Sequence, residues 1–211
     1  MRSEAMIESI ENAFQITALL ICATVALRRA ILSQSKAWTL LFFFYGTWLL
    51  GDIYWLIYLV FFGETPQISM VSDLSWYSAF IFLYLLLLEV APMEKQKSMR
   101  LIPWLGPAFT LSMALFYILQ WGKAISNLIY ASLMGSILFS AINRLTRTER
   151  YAKQNSICIA ILFLCLMEHG LWTASCFFWD DSLRNPYYWF DFFISVSFVL
   201  FLPATKKAVE V

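Results

Sequence analysis

Charge is scarce in this 211-residue chain, where Asp, Glu, Lys and Arg together make up 14% of the residues. Histidine occurs once, at position 169, so a zinc site built from several histidines is excluded. The four cysteines, Cys22, Cys158, Cys165 and Cys176, form no metal-type pair with that histidine and read as small packing residues, with Cys176 nearest a helix end. No connection between apolar runs is long enough to hold a soluble domain, and the opening "MRSEAMIESIEN" lacks a basic leader and a small-residue cleavage site, so the first apolar run is expected to stay as a helix. The net charge of +1 gives no footing for nucleic acid. No metal and no cofactor is expected.

What is present is apolar: 61% hydrophobic and 18% aromatic residues, with a mean hydropathy of +0.68, well outside the range of soluble domains. A bilayer core about 30 Å thick takes roughly 20 apolar residues of helix. Seven such runs can be read, approximately 12–27, 37–62, 70–90, 101–119, 124–143, 156–178 and 187–204. The expected fold is therefore an all-α integral membrane protein, one seven-transmembrane-helix bundle over residues 1–211. Lys and Arg are retained on the cytoplasmic side of short loops. Here 12 of the 15 basic residues follow spans one, three, five and seven, and only Arg2, Lys123 and Arg184 fall on the other side. This split predicts the amino end outside, the carboxyl end cytoplasmic, and a multi-pass protein of the bacterial cytoplasmic (inner) membrane with the lipid bilayer as its first partner.

The acidic residues sort by depth. Glu4, Glu8, Glu11, Glu64, Asp180, Asp181 and Asp191 fall in outer segments and Glu94, Glu149 and Glu210 in cytoplasmic ones. Four remain within spans: Asp52, Asp73, Glu89 and Glu168. Glu89 ends span three, where water or basic residues can reach it, and Asp73 sits one turn below the outer surface. Asp52 and Glu168 are each roughly 15 Å deep at 1.5 Å per residue. A charge there costs about 2.5–3.5 kcal/mol on the insertion scale, and no Lys or Arg is read deep in any span. Protonation, hydrogen bonds to His169, Tyr or Trp, a water-filled cavity or a bound cation can compensate.

Residues three and four apart share a helix face. Around Asp52 that face carries Trp48 and Trp55, around Asp73 it carries Trp76 and Tyr77, and around Glu168 it carries Cys165 and Trp172. Acids beside aromatic rings suit a cation held by charge and ring faces together. The expected site is an outward-facing acidic and aromatic cavity for a small cationic or amphiphilic ligand. Asp52 and Glu168 would supply charge, His169 a proton partner, Trp55 and Trp172 ring faces, and Asp73, Asp191, Trp76 and Tyr77 the rim. A binding or sensing module is expected rather than an enzyme, with no output domain of its own and a separate signalling partner.

Spans one to three and five to seven also match in outline. Asn12 pairs with Asn127, Asp52 and Trp55 with His169 and Trp172, Pro66 with Pro186, and Asp73 with Asp191. Asn12 to Asp52 is 40 positions and Asn127 to His169 is 42. This outlines a parallel 3+1+3 pseudo-repeat with span four as linker.

"LLGDIYW" (Leu49–Trp55) followed by "ISMVSDLSWYSAFIFLYLLL" (Ile68–Leu87) resembles the membrane-embedded sensory half of bacterial cyclic-dinucleotide signalling proteins. The matching positions are Gly51-Asp52 in span two and Ser69 or Ser72 with Asp73 opening span three. The resemblance covers about 60 residues and implies sensing of a ligand or of the membrane state. Gly51-Asp52 also resembles the lysoplasmalogenase-type membrane hydrolases, which would imply Asp52 and Glu168 as catalytic acid and base. The repeat is similar to that of SWEET-type transporters, although their Pro-Gln turns within helices are missing. Alkaline ceramidases need several histidines, and a microbial rhodopsin needs a lysine that span seven lacks.

Overall fold

A computed structural model describes residues 6–63, 66, 70–92, 100–147, 151–180 and 182–209. Of the residues named above, Arg2, Glu4, Glu64, Ser69, Glu94, Glu149, Asp181 and Glu210 lie outside them, as do Lys95, Lys97 and Arg150 among the 12 basic residues counted there. The described chain is helical throughout: α1 (Met6–Ser33), α2 (Lys36–Phe62), α3 (Met70–Val90), α4 (Leu105–Trp121) after a single 3₁₀ turn at Ile102–Trp104, α5 (Ala124–Leu145), α6 (Asn155–Phe177) and α7 (Pro186–Val209). All seven are long and apolar enough to cross a membrane.

Six helices close a ring in the order α1, α2, α3, α5, α6, α7, with α7 returning to α1. Helix α4 stands outside, packed along α5. Two ends alternate along the chain. The starts of α1, α3, α5 and α7 meet the ends of α2, α4 and α6 at an acidic end, and the remaining termini meet at a basic end. Cross-helix bonds fix this arrangement. Tyr77 and Ser126 hydroxyls lie 2.5 Å apart at the acidic end, and Lys36 Nζ lies 2.8 Å from Glu89 at the basic end. Glu89 thus finds the polar company expected of it.

The outer helices overrun their expected limits. Helix α1 has 28 residues instead of the span 12–27, about 42 Å at 1.5 Å per residue. Glu8 and Arg29, 21 residues apart on it, are separated by about 32 Å at that rise, roughly the thickness of a bilayer's apolar core, and Glu11 and Arg28 lie inside that distance. Arg29 lies over the Trp38 ring at 5.9 Å. Helix α7 runs on through Lys206 and Lys207. It starts on an Asn-Pro pair: Asn185 Oδ1 accepts from the Tyr187 N–H at 2.9 Å, while Pro186 needs no partner for its nitrogen.

Packing follows spacing. Leu19, Cys22, Ala23, Ala26 and Ala30 bury one mostly small-residue ridge of α1, which allows close approach of helices in lipid. The four cysteines are all free and buried. The middle of the ring is filled by aromatic side chains: Phe44, Tyr45 and Trp48 of α2 meet Phe198 and Phe201 of α7 and Phe80 of α3. Tyr45 Oη donates to the Phe198 carbonyl at 2.7 Å, tying α2 to α7.

One basic residue was expected in a loop and lies elsewhere. Arg144 belongs to α5 and is 1% exposed. Its Nε donates to the Ala91 carbonyl at 2.7 Å, Nη2 reaches the same oxygen, and Nη1 donates to Ser140 O at 2.8 Å. It is buried because the last carbonyls of α3 have no partner within their own helix and a cation suits a helix C-terminus.

Candidate functional site

Asp52 is 3% exposed, on the inner face of α2. Its neighbour Gly51 explains its company. A Cβ at position 51 would lie 2.6 Å from Trp76 Nε1, so only glycine lets the indole rest on the α2 backbone. From there Trp76 Nε1 donates to Asp52 Oδ1 at 3.0 Å, tying α3 to α2. The other oxygen, Oδ2, is buried and has no hydrogen-bond partner. One turn on, Trp55 packs against Trp76 with ring centres 5.9 Å apart, and its Nε1 donates to Glu8 Oε1 at 3.3 Å.

Helices α1 and α7 bring further carboxyls to the same interior. Gln15 Nε2 donates to Asp191 Oδ1 at 3.1 Å. Glu11, one turn before Gln15, faces Asp191 within hydrogen-bonding reach. Two carboxylates at that range repel unless a proton or a cation lies between them. Asp52 stands within electrostatic range of Asp191, Glu168 and Glu11. Ser195, one turn beyond Asp191, is buried and its hydroxyl has no partner. Tyr187, one turn before Asp191, is an electrostatic neighbour of Asp191, Glu11 and Glu8.

Glu168 approaches from α6. Trp172 Nε1 donates to its Oε2 at 3.0 Å. The Trp172 ring lies 5.7 Å from Tyr130 of α5, which meets Tyr77 edge-on at 4.6 Å. Tyr130 is an electrostatic neighbour of Glu168, Asp73 and Asp52. Asp73 is half-buried in the first turn of α3. Carboxyls from α1, α2, α6 and α7 therefore face one interior region, and the donors they meet are the Trp76 and Trp172 indoles and the Gln15 and Asn12 amides. Among the described residues, no Lys or Arg bonds Asp52, Glu11, Glu168 or Asp191, and no three of His, Cys, Asp and Glu converge to hold a metal ion.

His169 goes the other way. One residue turns a helix by about 100°, so while Glu168 points inward His169 points to α4. Its Nδ1 is 3.5 Å from Tyr117 Oη, and its ring meets Phe109 edge-on at 4.9 Å. The structure thus gathers Asp52, Trp55, Trp76, Glu168, Trp172 and Asp191, puts Asp73 and Tyr77 at their edge, and sets His169 apart.

Gln15, Tyr130, Tyr187 and Ser195 were not singled out from sequence, and Glu11 was read only as an outer-segment acid. A signal was there for Glu11 and Gln15: Glu8, Glu11 and Gln15 stand three and four apart, on one helix face. No family model, no curated protein and no solved structure matches this chain.

Proposed function

We propose that this protein is a membrane-embedded binding and sensing module for a small cationic or amphiphilic ligand, taken up at the acidic end of the ring. The observation that carries the reading is the convergence of Glu11, Asp52, Glu168 and Asp191 from four helices with neutral donors around them. Asp52 Oδ2 and Ser195 Oγ, both buried, await a partner. An uncompensated charge in a span costs about 2.5–3.5 kcal/mol. A cation beside desolvated ring faces recovers roughly 2 kcal/mol or more, and Trp55, Trp76 and Trp172 supply such faces.

Sidedness belongs to the same proposal. Arg28, Arg29, Lys36, Arg100, Arg144, Arg147, Lys153, Lys206 and Lys207 sit towards the basic end, against Lys123 and Arg184 at the acidic one. The positive-inside rule then turns the acidic end outward, across a bacterial inner membrane. A 3+1+3 repeat is compatible with the order of the ring, although its pairing of Asp52 with His169 is not kept, since Asp52 faces the interior and His169 faces α4. Asn12 and Asn127 also act alike, each donating to the carbonyl four residues back, at 2.8 and 3.0 Å. Output would pass to a separate signalling partner through the α1 and α7 ends.

Thermal unfolding of the purified protein tests this with choline and dodecyltrimethylammonium, each beside an uncharged counterpart, 3,3-dimethylbutan-1-ol and dodecanol. A cation at 100 times its Kd stabilises by about 2.7 kcal/mol, roughly 5–11 °C for a chain of this size. Asp52→Asn and Asp191→Asn should each reduce the shift. Equal shifts from the uncharged compounds, or undiminished shifts in both variants, would refute the reading.

A further inference from the structure

The basic end holds a concavity of its own. It opens between the start of α6 and the end of α7, has a volume of about 430 Å³ and is lined by Lys153, Pro203, Lys206 and Lys207. That volume falls within the roughly 300–1,000 Å³ of small-molecule sites. Local structure places the three lysines there. Lys206 and Lys207 follow Pro203 by three and four positions, so the three residues share one face of α7. Lys153 comes from the turn that leads into α6. Lys207 Nζ donates to Ser156 Oγ at 3.4 Å, which joins that face of α7 to the first turn of α6.

All three lysines are exposed, so an incoming ligand reaches them directly. Among the described residues no acid lines the concavity, and no carboxylate pairs with Lys153 or Lys207. Three like charges around one space attract an anion together. Beside the lysines, towards the membrane, the surface turns apolar. Val199 and Leu200 stand one turn before Pro203 and Ile159 one turn after Ser156, and all three are exposed on membrane-spanning helices. Lys207 and Leu200 are seven positions apart, about 10 Å along the helix at 1.5 Å per residue. A free anion makes no use of that apolar surface, whereas an acyl chain covers it. Headgroup charge narrows the choice further. The ammonium of a choline or ethanolamine lipid brings a fourth positive charge to the three lysines, while a glycerol headgroup leaves the negative phosphodiester uncancelled.

We propose that this concavity is a headgroup site for an anionic phospholipid of the phosphatidylglycerol class, with the phosphodiester among Lys153, Lys206 and Lys207 and the acyl chains over the exposed apolar residues beside them. The site is independent of the acidic one and of which leaflet the basic end faces.

The test is native mass spectrometry of the full-length protein in detergent micelles, titrated with dioleoyl phosphatidylglycerol or dioleoyl phosphatidylcholine. Glycerophosphoglycerol, the same anionic headgroup without chains, serves as competitor. The wild type should bind the glycerol lipid about tenfold more tightly than the choline lipid, because like charge opposes the second. Lys153→Gln and Lys207→Gln should each weaken the glycerol lipid about fivefold, the effect of one lysine at an anionic lipid surface. Arg28→Gln removes the same charge from an exposed residue at the same end and should leave binding unchanged. Equal binding of the two lipids, or undiminished binding in both lysine variants, would overturn the proposal. So would displacement by glycerophosphoglycerol at the lipid's own concentration, which would make the occupant a soluble anion. A loss in Arg28→Gln as large as in Lys207→Gln would overturn it too, by reducing the attraction to overall charge.

Discussion

Gly51→Ala isolates the contact on which the Asp52 environment rests. The added Cβ would lie 2.6 Å from Trp76 Nε1 and 3.0 and 3.1 Å from two further ring atoms, so the indole must move. Overpacking of this kind costs about 1–3 kcal/mol. Moving the indole also breaks its hydrogen bond to Asp52 Oδ1, and such bonds between membrane helices contribute roughly 0.6–1.7 kcal/mol. Alanine's better helix propensity returns about 1 kcal/mol. The expected net loss is about 1–4 kcal/mol, read as the shift in reversible unfolding by SDS in mixed micelles. Trp76→Phe removes the donor and shrinks the ring, so the alanine should cost less in that background, with a coupling on the order of 1 kcal/mol between neighbouring residues. A Gly51→Ala protein as stable as the wild type, or more stable by its propensity gain, would refute the account of why glycine precedes Asp52.

Three further outcomes are expected. Glu11→Gln should stabilise the protein near neutral pH by about 1 kcal/mol, roughly 2–4 °C in Tm, because an amide opposite Asp191 removes the repulsion between facing carboxyls; a lower Tm would count against the facing geometry. Arg144→Met should lose about 1.5–3 kcal/mol by leaving the Ala91 and Ser140 carbonyls without their charged donor, measured in the same SDS titration. Lys36→Ala, by contrast, should change stability by less than about 1 kcal/mol, since the Lys36 side chain is 71% exposed and exposed ion pairs contribute little.

Seven helices could be read because each needs only a run of apolar residues, a property of composition along the chain. Their ends were harder where a helix continues past the apolar layer. Nothing in hydropathy separates Glu8 and Glu11 in a helix from the same residues in a tail, and only their spacing with Gln15 does. Asp52 and Glu168 stood out as acids in apolar surroundings, and the aromatic residues near them proved to include their donors, Trp76 and Trp172. Which ring serves which acid was legible only for Trp172, four residues from Glu168. The link from Trp76 to Asp52 spans 24 positions and depends on the glycine that admits the ring. The direction of His169 was hidden for another reason: α6 is apolar nearly all round, so no polar stripe marks which face meets α4. Arg144 was misplaced because its partner is a backbone carbonyl at the end of α3, which leaves no trace in residue type.

The α1–α7 seam closes the ring, and it joins two helices that stand far apart along the chain. A ribosome must therefore add 176 residues after Gln15 before Asp191 exists to meet it. Until then Glu11 travels on a helix that has α2 beside it but lacks the α7 carboxyl it will face. The Asp191 side of the acidic end thus forms after the Asp52–Trp76 link of α2 and α3, and a truncation that spares α1 to α6 still removes it.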